Sequence, residues 1–121
     1  MTRCILVDIH DHLDPADQPY FRESREKRFG ATLEAVVADR EGNLARLNQV
    51  LSPVRSLLQK QPWISGTGPA YADYLVVGAL QWARCISQLR ILADDDPVRE
   101  WRDRVFALYG GLADTTPCYP T

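Results

Sequence analysis

Two histidines two residues apart, in Asp8-Ile9-His10-Asp11-His12, are the string whose residue types come nearest to metal chemistry. On a strand the two imidazoles would lie on one side of the chain, but zinc takes three or four protein ligands. The sequence contains only 2 His. On a helix, residues two apart diverge by roughly 200° and share no ion. The surrounding residues fit either form, because Ile5, Val7 and Ile9 alternate as in a strand while Leu6, Ile9 and Leu13 keep helical spacing. No metal site is expected.

Cysteine chemistry is equally unsupported by spacing. Cys4, Cys85 and Cys118 are odd in number and far apart, with no CxxC pair and no neighbouring histidine. That pattern argues against a disulfide framework or a zinc clip and fits a reduced, cytoplasmic setting. Cys85 stands out because Trp82 and Arg84 are beside it in an apolar segment. Tyr74, three positions before Val77 on the same segment, adds a phenol. Aromatic rings and one cation along an apolar wall suit an aryl ligand, which makes Tyr74, Trp82, Arg84 and Cys85 the candidate substrate-facing residues. No glycine pattern for binding phosphate or dinucleotide occurs.

These residues must be positioned by one small domain. The chain has 121 residues, with 14 basic and 16 acidic residues for a formal charge of −2. It is too short for a barrel of about 250 residues, and it offers no basic field for nucleic acid or anionic lipid. No run approaches the ~20 apolar residues of a membrane span. Asp14-Pro15 predicts a helix start, with Asp14 as N-cap, and Gly30 predicts its stop after Phe29. Glu23 and Lys27 are placed for an i,i+4 pair on its charged face. Leu33, Val36, Val37, Leu44, Leu47, Leu51, Val54 and Leu58 then recur at helical spacing, with an interruption expected near Ser52 because Pro53 follows. Gln61 to Pro69 reads as a loop anchored by Trp63 and Ile64.

Ala70 to Leu89 is apolar nearly all round, which predicts a buried central helix, with Gly78 admitting a close neighbour. Asp96-Pro97 starts a last helix whose inner face is Val98, Trp101, Val105, Phe106 and Leu108. Its outer face offers Arg99 to Asp103 and Glu100 to Arg104, and Gly110-Gly111 ends it. The segment from Thr115 to Thr121 is expected to be irregular and mobile.

Pro69-Ala70-Tyr71-Ala72-Asp73-Tyr74-Leu75-Val76, with Gln81-Trp82-Ala83-Arg84-Cys85 after it, resembles the central helix of the C-terminal all-helical domain of glutathione S-transferases. In that family a hydroxyl residue and an Asp three positions later form an N-capping box. Asp73 matches the acid, while Ala70 stands where the hydroxyl would be and removes half of the box. Trp63-Ile64-Ser65-Gly66 and Asp95-Asp96-Pro97-Val98-Arg99-Glu100-Trp101 are similar to the loop before and the helix after. Tyr20 to Gly30, with the Tyr-Ala-Asp-Tyr and Gln-Trp-Ala-Arg-Cys strings, looks most like bacterial members related to β-etherases.

The resemblance implies an all-α bundle over residues 1–121, one domain with its central helix at about 70–86, entered at Met1 partway through the family's first long helix. It implies a hydrophobic acceptor-substrate wall for an aromatic ligand, and a dimer interface. The glutathione cosubstrate is bound and activated in that family by a thioredoxin-like domain, for which this stretch has no room. The chain is therefore expected to hold no cofactor or catalytic residue of its own, and to partner a second copy or such a domain. The alternative is a stand-alone interaction or dimerisation module of the same fold.

Overall fold

A computed structural model describes all of residues 1–121. The order is α1 (Thr2–Asp11), α2 (Gln18–Phe29), α3 (Leu33–Val37), α4 (Arg40–Leu58), α5 (Tyr71–Ile86), α6 (Pro97–Phe106) and a 3-10 segment (Leu108–Thr115). There are no strands, and the fold is all-α as expected. The strand-like alternation at the start has no counterpart, because α1 buries Cys4, Ile5 and Leu6 together. α1 is kinked there, because Ile5, with φ of −130° and ψ of 19°, leaves the helical range.

Local chemistry moves the start of the second helix but not its end. Asp14 does not cap a helix: its Oδ1 accepts from Ala16 N at 2.9 Å and its carbonyl from Asp17 N at 2.8 Å, which closes a turn. The helix begins later at Gln18, with Pro19 in its first turn, and ends at Gly30, whose φ of 68° is the left-handed closure a glycine adopts freely. Arg22, rather than the Glu23–Lys27 pair, ties the charged face, reaching Glu26 at 3.1 Å and Glu34 at 2.9 Å.

The long pattern from Leu33 to Leu58 is broken near its start and not at Ser52. Thr32 caps α3 through Ala35 N, and Asp39 caps α4 through Gly42 N at 3.0 Å. Buried Asn43, in the first turn of α4, donates from Nδ2 to Val36 O at 3.0 Å and so satisfies a carbonyl at the end of α3. A Cβ at Gly42 would lie 2.1 Å from Asp39 Oδ2, so the glycine makes room for the cap. Pro53 sits inside α4 without ending it. Both Pro53 and Gln49, whose carbonyl loses its partner, are exposed, so that carbonyl is open to solvent.

The main core joins Leu51 of α4, Val77 and Leu80 of α5, and Val98, Trp101, Val105 and Phe106 of α6, with Leu92 between. A polar frame holds these helices in register. Arg55 of α4 donates from Nη2 to Asp96 Oδ2 at 2.7 Å and from Nε to both carboxylate oxygens, while Asp96 Oδ1 caps α6 through Val98 N at 2.9 Å. Ser87, just after α5, donates to Asp8 of α1 at 2.6 Å. On the outer face of α6, Arg104 meets Glu100 at 2.6 Å as expected, but Arg99 turns back to Asp94.

Asp73 is the centre of this frame. It is fully buried, and its Oδ1 accepts from Ile64 N at 2.8 Å and Trp101 Nε1 at 2.8 Å. Its Oδ2 accepts from Ser65 N at 3.1 Å and Ala70 N at 3.1 Å. Burial pushes the carboxyl up, but the bonds from Ser65, Trp101, Ala70 and Ile64 outweigh it and hold Asp73 below the ordinary carboxylate value. One arm of the capping box, Asp73 to the Ala70 amide, is therefore formed, while Ala70 has no side-chain acceptor to return.

α5 is buried on one side only. Asp73, Val77, Leu80 and Ala83 face inward, whereas Tyr71, Leu75 and Trp82 remain 80%, 62% and 42% exposed. Gly78 has no atom within 4 Å of the position its Cβ would take, so no helix approaches it. The segment after Thr115 is also not free, since Tyr119 N donates to Arg84 O at 3.0 Å and Arg102 Nη1 to Thr121 O at 3.0 Å.

Replacing Asp73 with Ala strands four donors and should cost about 3–5 kcal/mol of unfolding free energy, measured by urea denaturation. Because the folded carboxyl binds its proton more weakly than the unfolded one, near 3.9, its stabilisation is complete above that pH and is lost as pH falls through the folded value. The stability gap between the wild type and Asp73→Asn should narrow below about pH 4. A gap that stays constant into acid contradicts this account.

Candidate functional site

The inner end of α5, the inner face of α6 and the 3-10 segment enclose an apolar groove of about 340 Å³. Val77, Val105, Leu108, Leu112 and Ala113 form its walls, and Tyr74 and Tyr109 stand at its mouth. Their hydroxyls are 2.8 Å apart and their rings 6.5 Å apart, tilted by 33°. Tyr74 titrates above the ordinary tyrosine value, chiefly through the hydrogen bond with Tyr109 and secondarily through burial. A neutral phenol pair over an apolar trough has the shape and polarity to suit a flat apolar molecule, with a hydrogen bond available at one edge.

The backbone that presents Tyr109 explains the groove's shape. Tyr109, Gly110 and Gly111 are three successive residues with positive φ, at 53°, 70° and 79°. For a tyrosine that region is costly, of order 1–2 kcal/mol, whereas glycine enters it freely. The two glycines turn the chain after α6, so that Leu112 and Ala113 come back over the groove. Gln81 Nε2 donates to Ala113 O at 2.7 Å and fastens this return to α5.

The four residues proposed from sequence do not share one site. Tyr74 lines the groove. Trp82 lies on the outer, exposed face of α5. Arg84 lines a separate polar cleft of about 410 Å³ with Arg102, Asp103 and Asp114. There it is engaged by Asp114 Oδ1 at 3.0 Å and Tyr119 O at 3.2 Å, and its guanidinium lies 5.3 Å from the Phe106 ring. Cys85 faces Cys118, and its thiol is pushed up to about 11, mainly by burial.

Tyr109, Leu112 and Ala113 were not among the sequence candidates. Their signal was the Tyr-Gly-Gly string, which reads as a helix stop but equally permits a reversal. The histidines go to different partners. His10 Nδ1 meets Asp11 at 2.8 Å, and His12 donates from Nδ1 to Asp8 O at 2.7 Å with Nε2 3.2 Å from the Tyr119 hydroxyl.

A helical bundle with a buried Asp at the start of its central helix, bound to the preceding loop and to a Trp of the next helix, defines a class. A family model described as the glutathione S-transferase C-terminal domain matches residues 1–106, and the chain belongs to that family. The matched span includes Asp73, Trp101 and Tyr74, and ends at Phe106, before Tyr109 and the glycine turn.

Tyr109→Phe removes the partner that raises Tyr74. In a spectrophotometric titration of phenolate absorbance, the highest-titrating tyrosine step should move down toward the ordinary value near 10. A last step whose midpoint stays where it is in the wild type would show that the two hydroxyls do not interact in solution.

Proposed function

We propose that this domain supplies one wall of the hydrophobic acceptor site of a glutathione transferase-like protein. The observation that carries the reading is the apolar groove of about 340 Å³ with the Tyr74–Tyr109 hydroxyl pair at its mouth. Its size falls within the range of small-molecule pockets. The groove would take an aryl group against Val77, Val105 and Leu112, and Tyr74 would orient a polar atom of that ligand. In such a reaction a glutathione thiolate attacks an electrophilic carbon and a leaving group departs, as in cleavage of an aryl ether by the β-etherase-like members this sequence resembles. Lowering the thiol's pKa is the task of a thioredoxin-like domain. In this division of labour the residues of the present domain bind and orient the acceptor.

A second role is supported by the outer face of α5. Tyr71, Leu75 and Trp82 fall on one stripe at helical spacing and are all exposed. Large exposed apolar residues in a row mark a contact surface, either for a second copy of the chain or for the thioredoxin-like domain.

The groove is tested with an anilinonaphthalene sulfonate fluorescence titration of the wild type and Leu112→Glu. Leu112 is exposed, so the substitution leaves the core intact, and affinity should fall at least about tenfold if the probe sits against it. Equal affinity in the two proteins would discard the groove as the site. Glutathione itself should give no saturable heat up to millimolar concentration in calorimetry, and saturable binding would overturn the division of labour. For the stripe, sedimentation velocity of the wild type against Leu75→Glu should show association lost in the variant. A wild type that stays monomeric and indifferent to the substitution removes self-association through this face.

A further inference from the structure

Two of the three cysteines, distant in sequence, meet in space. Cys85 is near the end of α5 and Cys118 follows the 3-10 segment, yet the Cys118 thiol lies close enough to help raise the Cys85 thiol above its ordinary value. Independent bonds hold both in place. Gln81, one turn before Cys85, donates from Nε2 to Cys118 Sγ at 3.5 Å, and Tyr119 N donates to Arg84 O at 3.0 Å. Each cysteine thus has a chain neighbour bonded to the other's segment. Both are partly exposed and unlinked, while Cys4 is fully buried in another cluster with Ile5 and Ala83.

We propose that Cys85 and Cys118 are a reversible dithiol–disulfide site that takes a small-molecule disulfide as its oxidant and, once linked, staples the segment after Thr115 to α5. The Cys118 thiolate attacks one sulfur of the small disulfide, whose sulfur–sulfur bond breaks and releases one thiolate. Cys85, having given its proton to solvent, then attacks Cys118 Sγ of the mixed disulfide and expels the second thiolate. The two released thiolates take up the two protons lost by the protein. Two cysteine sulfurs are oxidised, and one small disulfide is reduced to two thiols. Cys85 is the second to react because burial keeps it protonated, with its thiol pushed up to about 11.

The link encloses α6 and the whole 3-10 segment in one covalent loop. Leu108, Leu112 and Ala113 lie within that loop and line the groove. Oxidation would restrict the excursions of this wall, and reduction would release it. The site itself does not depend on what the groove binds.

The purified chain is treated with excess 2-hydroxyethyl disulfide and analysed by intact mass and by non-reducing peptide mapping. The expected product loses about 2 Da, as two hydrogens leave, joins the Cys85 and Cys118 peptides, and reverts with a reducing agent. Cys85→Ser should stop at the mixed disulfide on Cys118. The thermal midpoint of the linked protein should rise by roughly 5–10 °C over the reduced form, with no oxidant effect in the Cys85→Ser, Cys118→Ser double variant. Failure to form the internal link, or a link through Cys4 or between chains, overturns the proposal. A link that forms without raising the midpoint overturns the staple.

Discussion

A single buried carboxylate sets the architecture. Asp73 has no solvent to stabilise its charge, so each of its two oxygens must be given donors by the protein. Those donors come from the loop before α5, at Ile64 and Ser65, from the first residue of the helix junction, at Ala70, and from Trp101 in the centre of α6. Satisfying one charge therefore fixes the loop, the helix start and the helix pairing at once. Removing any donor would leave part of a buried charge uncompensated, which is far costlier than losing an ordinary surface bond.

The same logic recurs at the edges of the bundle in weaker form. Asp96 is both the cap of α6 and the partner of Arg55 on α4. Asp8 joins α1 to the end of α5 through Ser87. Asn43 links α3, α4 and the carbonyl of Arg3. In each case a polar group closes a helix end and holds a second element in register, so the apolar surfaces meet at defined positions. The hydrophobic cluster around Trp101 supplies the non-directional part of the stability, and the polar frame chooses among its possible packings.

The groove and the cysteine pair both depend on the reversal after α6. Gly110 and Gly111 permit the turn, Tyr109 is carried into it at positive φ, and Gln81, Arg84 and Arg102 receive the returning chain. A segment with no regular pattern in sequence becomes one wall of the candidate ligand site. Its attachment rests on a few bonds to α5 and α6, among them the backbone bond from Tyr119 to Arg84, which a covalent link would reinforce.

Much of the bundle was legible in the residues. The helical spacing, the Asp96-Pro97 start, Gly30 and the inner face of α6 follow from local rules of capping and periodicity, and Asp73 with its neighbouring strings pointed to the family. Other features required the tertiary structure. Asp14 uses its carboxylate to close a turn, and the break falls at Asp39 and not at Pro53 because buried Asn43 stabilises it while the carbonyl the proline leaves unpaired is exposed to solvent. The all-apolar look of α5 did not say which side would be covered, since composition carries no direction. Nor could spacing reveal that Tyr74 would meet Tyr109, or Cys85 meet Cys118, across more than thirty residues. Periodicity is a property of neighbours along the chain, whereas a site is made by where a turn returns it, and here that was decided by three positive-φ residues and the side chains waiting on α5.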